Sequence, residues 1–236
     1  MNRLNLNNIL KREESTDSIE KINKADRHGK ILYNKENLLS TGRMTENDNT
    51  NTEQRKVELV PHNPDWSHQA DEEVQRIMTG LTFPIVGIYH IGSTSVAGIK
   101  AKPILDFVIE VENLENVIEN GSEFEALGYI DKGEYGIPGR QFFTKDTNGD
   151  RTHHLHIFQV GHPDIERHTV FRDFLRANPD AAREYEKLKE KLAKRFPKQS
   201  GDYTAAKTDF ILSMDEVARY WLEQNGYGYK PVDSQD

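Results

Sequence analysis

Val86-Gly87-Ile88-Tyr89-His90-Ile91-Gly92-Ser93-Thr94-Ser95, followed by Lys102-Pro103-Ile104-Leu105-Asp106-Phe107-Val108-Ile109-Glu110-Val111, is the stretch that decides the fold. Two apolar runs of strand length, joined through a Gly-Ser turn and a short connection, read as neighbouring central strands of one sheet. Upstream, Val57-Glu58-Leu59-Val60 reads as a short alternating strand. Pro61-His62-Asn63-Pro64-Asp65-Trp66 then turns into a helix, with Asp65 as its cap and Ala70, Val74, Ile77 and Met78 at helical spacing up to Gly80. Downstream, Leu114 to Leu127 reads as one helix closed by Gly128, and Tyr129-Ile130 as the start of a strand. Gln141 to Thr144 and His154 to Val160 flank the turn residues Asp146-Thr147-Asn148-Gly149-Asp150 as a hairpin.

Beyond Pro163 the pattern is helical, with helices expected over His168 to Ala177, Pro179 to Phe196 and Tyr203 to Asn225. This order of elements implies the α+β class. The expected architecture is a mixed or antiparallel sheet with helices packed mainly on one face and a helical C-terminal segment. Residues 1–56 are rich in Asn, Glu, Lys, Asp and Thr, with one Tyr and no Phe or Trp, and read as a disordered or weakly helical arm. The folded domain is expected over 57–228, with a short tail at 229–236.

Of the 236 residues, 35% are hydrophobic and 30% charged, with a formal net charge of −8, so the whole-molecule field repels polyanions and general nucleic-acid binding is disfavoured. A small phosphorylated ligand held by a few local donors remains compatible with that charge. The absence of cysteine excludes disulfides, thiolate metal sites and cysteine nucleophiles. With no secretion-type apolar segment and no stretch of membrane-spanning length, the expectation is a cytoplasmic protein with no membrane association. The oligomeric state is not legible.

The chemically expressive residues gather in few places. Gly92 lets backbone approach a phosphate, and Ser93, Thr94 and Ser95 add hydroxyls beside it, with Lys100 and Lys102 as nearby point charges. Asp106 is a carboxylate inside an apolar strand and needs a salt-bridge partner, a proton or a cation. Glu110 shares its face but lies about 13 Å along the strand, too far to share one metal ion easily. In His153-His154-Leu155-His156-Ile157, alternation turns His154 and His156 one way and Leu155 and Ile157 toward the core, with His153 pointing away from the pair. Such a pair can ligate a divalent metal, move protons or donate to phosphate, or stand as two satisfied histidines. Arg140, entering the hairpin, suits phosphate recognition or a surface role. His168, Arg172 and Asp173 share one helical turn and either brace a site or cap the helix face.

These residues carry a family resemblance. Val57-Glu58-Leu59-Val60-Pro61-His62-Asn63-Pro64-Asp65-Trp66, His90-Ile91-Gly92-Ser93-Thr94-Ser95-Val96-Ala97-Gly98, Ala101-Lys102-Pro103-Ile104-Leu105-Asp106, His154-Leu155-His156 and Phe171-Arg172-Asp173-Phe174-Leu175-Arg176 resemble the GrpB family. Tyr185 to Lys189 and Tyr203 to Ile211 extend the match. The resemblance implies a nucleotidyltransferase-like fold. Related domains fused to dephospho-CoA kinase point toward a nucleotide or CoA-like small molecule as ligand. On that basis Asp106 and His156 are the expected catalytic residues, and Asp106, His154 and His156 the expected ligands of Mg²⁺ or Mn²⁺. Gly92, Ser93, Thr94, Ser95, Lys102 and Arg140 are expected to hold phosphate. The superfamily pattern carries a second acidic residue two positions after the first, where this chain has Val108. Either a neighbouring histidine replaces it, or the fold serves as a catalytically silent ligand- or partner-binding module.

Overall fold

A computed structural model describes residues 55–226. The arm expected over 1–56 lies almost wholly outside the described residues, as does the tail at 229–236. Among the described residues, five strands form one sheet: β1 (Gly87–Ile91), β2 (Leu105–Val111), β3 (Ile130–Asp131), β4 (Arg140–Thr147) and β5 (Asp150–Gln159). Their spatial order is β1-β2-β5-β4-β3. The β2/β5 pair is parallel and every other pair is antiparallel, so the sheet is mixed. Strand β5 is thus inserted between β2 and its own hairpin partner β4. The hairpin turns on Asn148 and Gly149, both at positive φ (54° and 86°), the two-residue geometry that matches the twist of antiparallel strands.

Alternation along β2 and β5 assigns the two faces. Leu105, Phe107, Ile109, Leu155 and Ile157 join the main core with Trp66, Ala70 and Ile77 of α1 (Trp66–Gly80), Val117 of α2 (Leu114–Glu119) and Phe124 of α3 (Gly121–Ala126). On the opposite face, Tyr89, Ile91, Val108 and Phe158 pack with Ile165 of α4 (Pro163–Ala177). Behind it come α5 (Pro179–Arg195), α6 (Ser200–Ala205) and α7 (Thr208–Asn225). The α+β class therefore holds, with helices distributed over both faces more evenly than alternation patterns alone suggested.

Several local expectations change for physical reasons. Val57 to Val60 makes only one bridge, Val60 with Ala101, because Val57 is spent against Leu192 and Tyr203 with its amide on the Pro197 carbonyl. Asp65 occupies the cap position of α1 but its carboxylate accepts from Gln69, leaving the helix without a side-chain cap. Met78 is half exposed, and the inward position near it is taken by Glu73, whose burial no hydrophobic pattern predicts. The helix expected over Leu114 to Leu127 breaks at Asn120-Gly121, two poor helix formers, and the last expected helix breaks at Ala206-Lys207. Helix α4 starts five residues early because Pro163 suits a first helical position and the His162 ring accepts from the Asp164 amide.

Candidate functional site

Register places the chemistry. Asp106 and His154 are direct partners across the parallel β2/β5 ladder, as are Val108 and His156, so one sheet face carries a carboxylate and two imidazoles side by side. His154 Nδ1 lies 2.7 Å from Asp106 Oδ1. Its Nε2 lies 3.3 Å from Arg151 Nη1. A guanidinium only donates, so Nε2 accepts and the ring proton sits on Nδ1, donated to the carboxylate. Burial pushes the Asp106 carboxyl up, but the hydrogen bond donated by His154, with the two neighbouring imidazoles and the Lys102 charge, outweighs it and holds the group below its ordinary range. The two side chains keep 27% and 21% of their surface, so the dyad is recessed yet reachable.

His156 has a different environment. Its Nδ1 accepts from Arg140 Nη1 at 3.1 Å, and its ring sits 5.3 Å from that of His168. Burial, then the Arg140 charge, holds this imidazole well below its ordinary pKa and therefore neutral. The sequence reading paired Asp106 with His156 as catalytic groups; the carboxylate is instead joined to His154. His153 points to the other face as expected, against Phe107 and Tyr129. Glu110 is buried and accepts from the Tyr89 hydroxyl, away from the dyad.

Gly92 explains why the turn approaches Asp106 so closely. It has φ 69° and ψ −171°, a region open essentially to glycine alone, and a Cβ there would lie 2.5 Å from Asp106 Oδ2. The neighbouring hydroxyls are largely spent inside the protein. Ser95 Oγ donates to the Gly92 carbonyl at 2.6 Å, and Thr94 Oγ1 donates to the Ile104 carbonyl at 3.1 Å while meeting His90 Nε2. Ser93 is hydrogen-bonded to the Tyr185 hydroxyl. From α4, Arg172 donates to the His90 carbonyl and Arg176 to the Ser95 carbonyl, so the helix cluster braces the turn. A cavity of about 510 Å³ lies beside the same turn, between His62, His90, Thr94, Ser95, Arg176 and Arg183, and its walls do not include the dyad.

Arg140 departs from its expected role. Its guanidinium donates to the Glu134 and Tyr135 carbonyls at 3.1 and 2.6 Å, meets His156, and lies 4.6 Å from the Phe142 ring. It is buried and holds the loop before β4, leaving no fork for phosphate. The cations that do gather at the dyad come from elsewhere. Lys102, from the loop before β2, is depressed to about 8 by burial and by the charge of Lys207, against the pull of Asp106; Arg151 and Arg55 add to the repulsion. Lys207, at the start of α7, is likewise depressed to about 8 by burial, against the pull of the Asp106 charge. Lys207, Arg151, Tyr185 and Tyr203 were missed in the sequence. A signal existed: Tyr185 with Lys189 and Tyr203 with Lys207 are both Tyr-x-x-x-Lys pairs, the spacing that lays an ammonium on a ring one helical turn away.

The donor set does not fit Mg²⁺ or Mn²⁺ held by Asp106, His154 and His156. Those ions want oxygen ligands. Here one carboxylate is already bonded to His154, both Nδ1 atoms are engaged, Arg140 and the Asp146-paired Arg151 donate to the two imidazoles, and Lys102 and Lys207 add positive charge nearby. Among the described residues, no three His, Asp or Glu side chains converge as a metal-ligand group.

Comparison with known proteins places this geometry. The family model described as GrpB protein matches residues 56–216. The chain belongs to the GrpB family. It is 44% identical over 167 residues to UPF0157 protein YqkA of Bacillus subtilis, covering 71% of this chain and 48% of that protein. It is 35% identical over 166 residues to the glutamate-rich protein GrpB of Alkalihalophilus pseudofirmus, covering 69% of this chain and 94% of that one. The crystal structure of conserved protein GrpB from Enterococcus faecalis superposes with a TM-score of 0.65 at 38% identity, covering 70% of this GrpB-family chain and 99% of its own. This chain thus spans about half the length of YqkA and nearly all of the other two. Among the described residues, no helix is long and apolar enough to cross a membrane.

Proposed function

We propose that this chain binds a phosphorylated small molecule, a nucleotide or a CoA-like compound, in the recess over Asp106 and His154, and transfers a nucleotidyl or related phosphoryl group from it. The observation that carries the reading is the gathering of cations at this one place in a chain of net charge −8: Lys102 and Lys207 both feel the single carboxylate Asp106, which is bonded to His154, while Arg151, paired with Asp146, donates to the same imidazole. In the proposed step, an acceptor hydroxyl attacks phosphorus as its proton passes to His154 Nε2. Asp106 holds the ring and stabilises the imidazolium. As the new P–O bond forms, the bond to the departing phosphate breaks, and Lys102 and Arg151 take up its charge, Arg151 moving off the imidazole to do so. Positioning and charge neutralisation do most of the work, and no step is assigned to a metal ion.

A second reading is a catalytically silent ligand- or partner-binding module, favoured by Val108 where the superfamily pattern expects a second carboxylate. Calorimetry with nucleoside triphosphates and CoA-type ligands, with and without Mg²⁺ or Mn²⁺, tests both. Binding without metal supports the recess as drawn, and no binding of any ligand overturns it. Asp106→Asn separates the two readings: an enzyme loses at least a hundredfold in turnover while its melt stays put, whereas a binding module shows only a modest change in affinity.

A further inference from the structure

We infer that Lys207 and Lys102, standing over the ring of Tyr203, form a second anion subsite that selects ligands carrying two adjacent phosphates. The inference rests on the phosphate-binding reading above and adds to it a residue and a substrate class. Tyr203 is buried, and the ammonium groups of Lys207 and Lys102 lie 4.6 and 5.5 Å from its ring centroid. An aromatic face steadies an ammonium without neutralising it or consuming its N–H donors in conventional hydrogen bonds. Two lysines sharing one ring therefore present donors and uncancelled charge together.

The surroundings do not balance that charge. A third lysine, Lys189, is buried against the Tyr185 ring at 4.8 Å with its ammonium donating to the Lys100 carbonyl. Tyr185 in turn stacks on Phe210 of α7, tying the three lysines into one packed region. Nearby carboxylates are committed. Glu190 pairs with Lys100, Glu186 accepts from the Lys100 amide, and Asp106 is bonded to His154. Two partly desolvated ammonium groups share the pull of one carboxylate, Asp106, which raises the free energy of the empty site, and a dianionic or more highly charged ligand relieves it. Both flanking lysines are depressed only to about 8, so both remain mainly protonated at neutral pH. One phosphate near the dyad and a second between the lysines is the arrangement that uses every surplus cation.

The probes are orthophosphate and pyrophosphate, titrated calorimetrically into the full chain at pH 7 and matched ionic strength. Pyrophosphate is expected to bind at least tenfold more tightly than orthophosphate. Lys207→Gln should erase that preference while changing orthophosphate affinity less than threefold, and Lys207→Arg should retain it. Lys187→Gln makes the same charge change on an exposed surface lysine and should alter neither affinity. Lys207→Met keeps the apolar stem on Tyr203 and substitutes for the glutamine variant if that one melts early. Equal binding of the two anions by the unmodified chain, or equal weakening of both by Lys207→Gln, overturns the diphosphate subsite and leaves the phosphate reading standing. Failure of both anions to bind overturns the two together.

Discussion

Two of the places where the described residues bury charge are built on opposite plans. Under α1, Glu73 accepts from Tyr129 at 2.7 Å, from Lys145 at 2.8 Å and from Arg76 at 2.9 Å. Burial pushes that carboxyl up, yet the Lys145 and Tyr129 hydrogen bonds and the Lys145 charge hold it below its ordinary value. Around Tyr185 and Tyr203, by contrast, Lys102, Lys189 and Lys207 lie on aromatic rings, and Lys207 repels each of the other two. A buried pair whose charges cancel, as those of Glu73 and Lys145 do with Arg76 at the exposed edge, serves the fold. A cluster whose charges do not cancel carries a cost that folding alone does not repay, and such a cost marks a place for a ligand.

The largest expected effect comes from breaking the balanced cluster. Glu73→Ala leaves Lys145 buried and unpaired, and urea unfolding should show a loss of about 3–5 kcal/mol. A loss under 1 kcal/mol would mean that water reaches Lys145 and that the contrast is overdrawn. Next comes Gly92→Ala, which forces a side chain into a glycine-only backbone region and against Asp106. Roughly 1–3 kcal/mol should be lost. The His154 ring resonances should shift with it, because the carboxylate has to move; unchanged resonances would show that the turn yields instead.

The smallest effect sharpens the unbalanced side. Lys102 and Lys207 fall from an ordinary 10.5 to about 8 on folding, so between those values the unfolded chain binds more protons than the native one. The destabilisation is full below pH 8 and is relieved as pH rises toward 10.5, the opposite of what a salt-bridged lysine gives. Lys207→Met should therefore melt higher than the unmodified chain at pH 7, with the gap closing by pH 10. A variant that melts lower at pH 7 by several degrees would place a compensating carboxylate beside Lys207.

How much of this was written in the chain depends on the range of the signal. The apolar runs at 86–91 and 104–111 and the turn around Asn148-Gly149 gave two neighbouring strands and the hairpin, because alternation and turn chemistry are local; that both strands are central did not hold, since β1 is an edge strand whose apolar residues are covered by helices rather than by a further strand. His154 and His156 sharing a face followed from parity alone. That Asp106 faces His154 rather than His156 did not, since parallel register is fixed only when two distant strands meet. Arg140 looked like a phosphate ligand because sequence shows a guanidinium but not the Glu134 and Tyr135 carbonyls waiting for it. Lys207 escaped notice because its local partner, Tyr203, shows only a ring contact, while Asp106 and Lys102, which give that contact its setting, come from a distant part of the chain.

The parallel pairing of β2 with β5 has a consequence in time. The dyad joins residues 48 apart in sequence, and the strand that completes it must enter between β2 and β4 after the intervening chain has been laid down. Contacts that close so long a loop form slowly and late. Until β5 pairs with β2, the β4/β5 hairpin carries both histidines with no carboxylate beside them. On the proposed reading, ligand recognition is confined to the finished sheet, and an anion present at a hundred times its dissociation constant would stabilise that state alone by about 2.7 kcal/mol. In a refolding experiment, phosphate should slow unfolding while leaving the early phases of folding untouched.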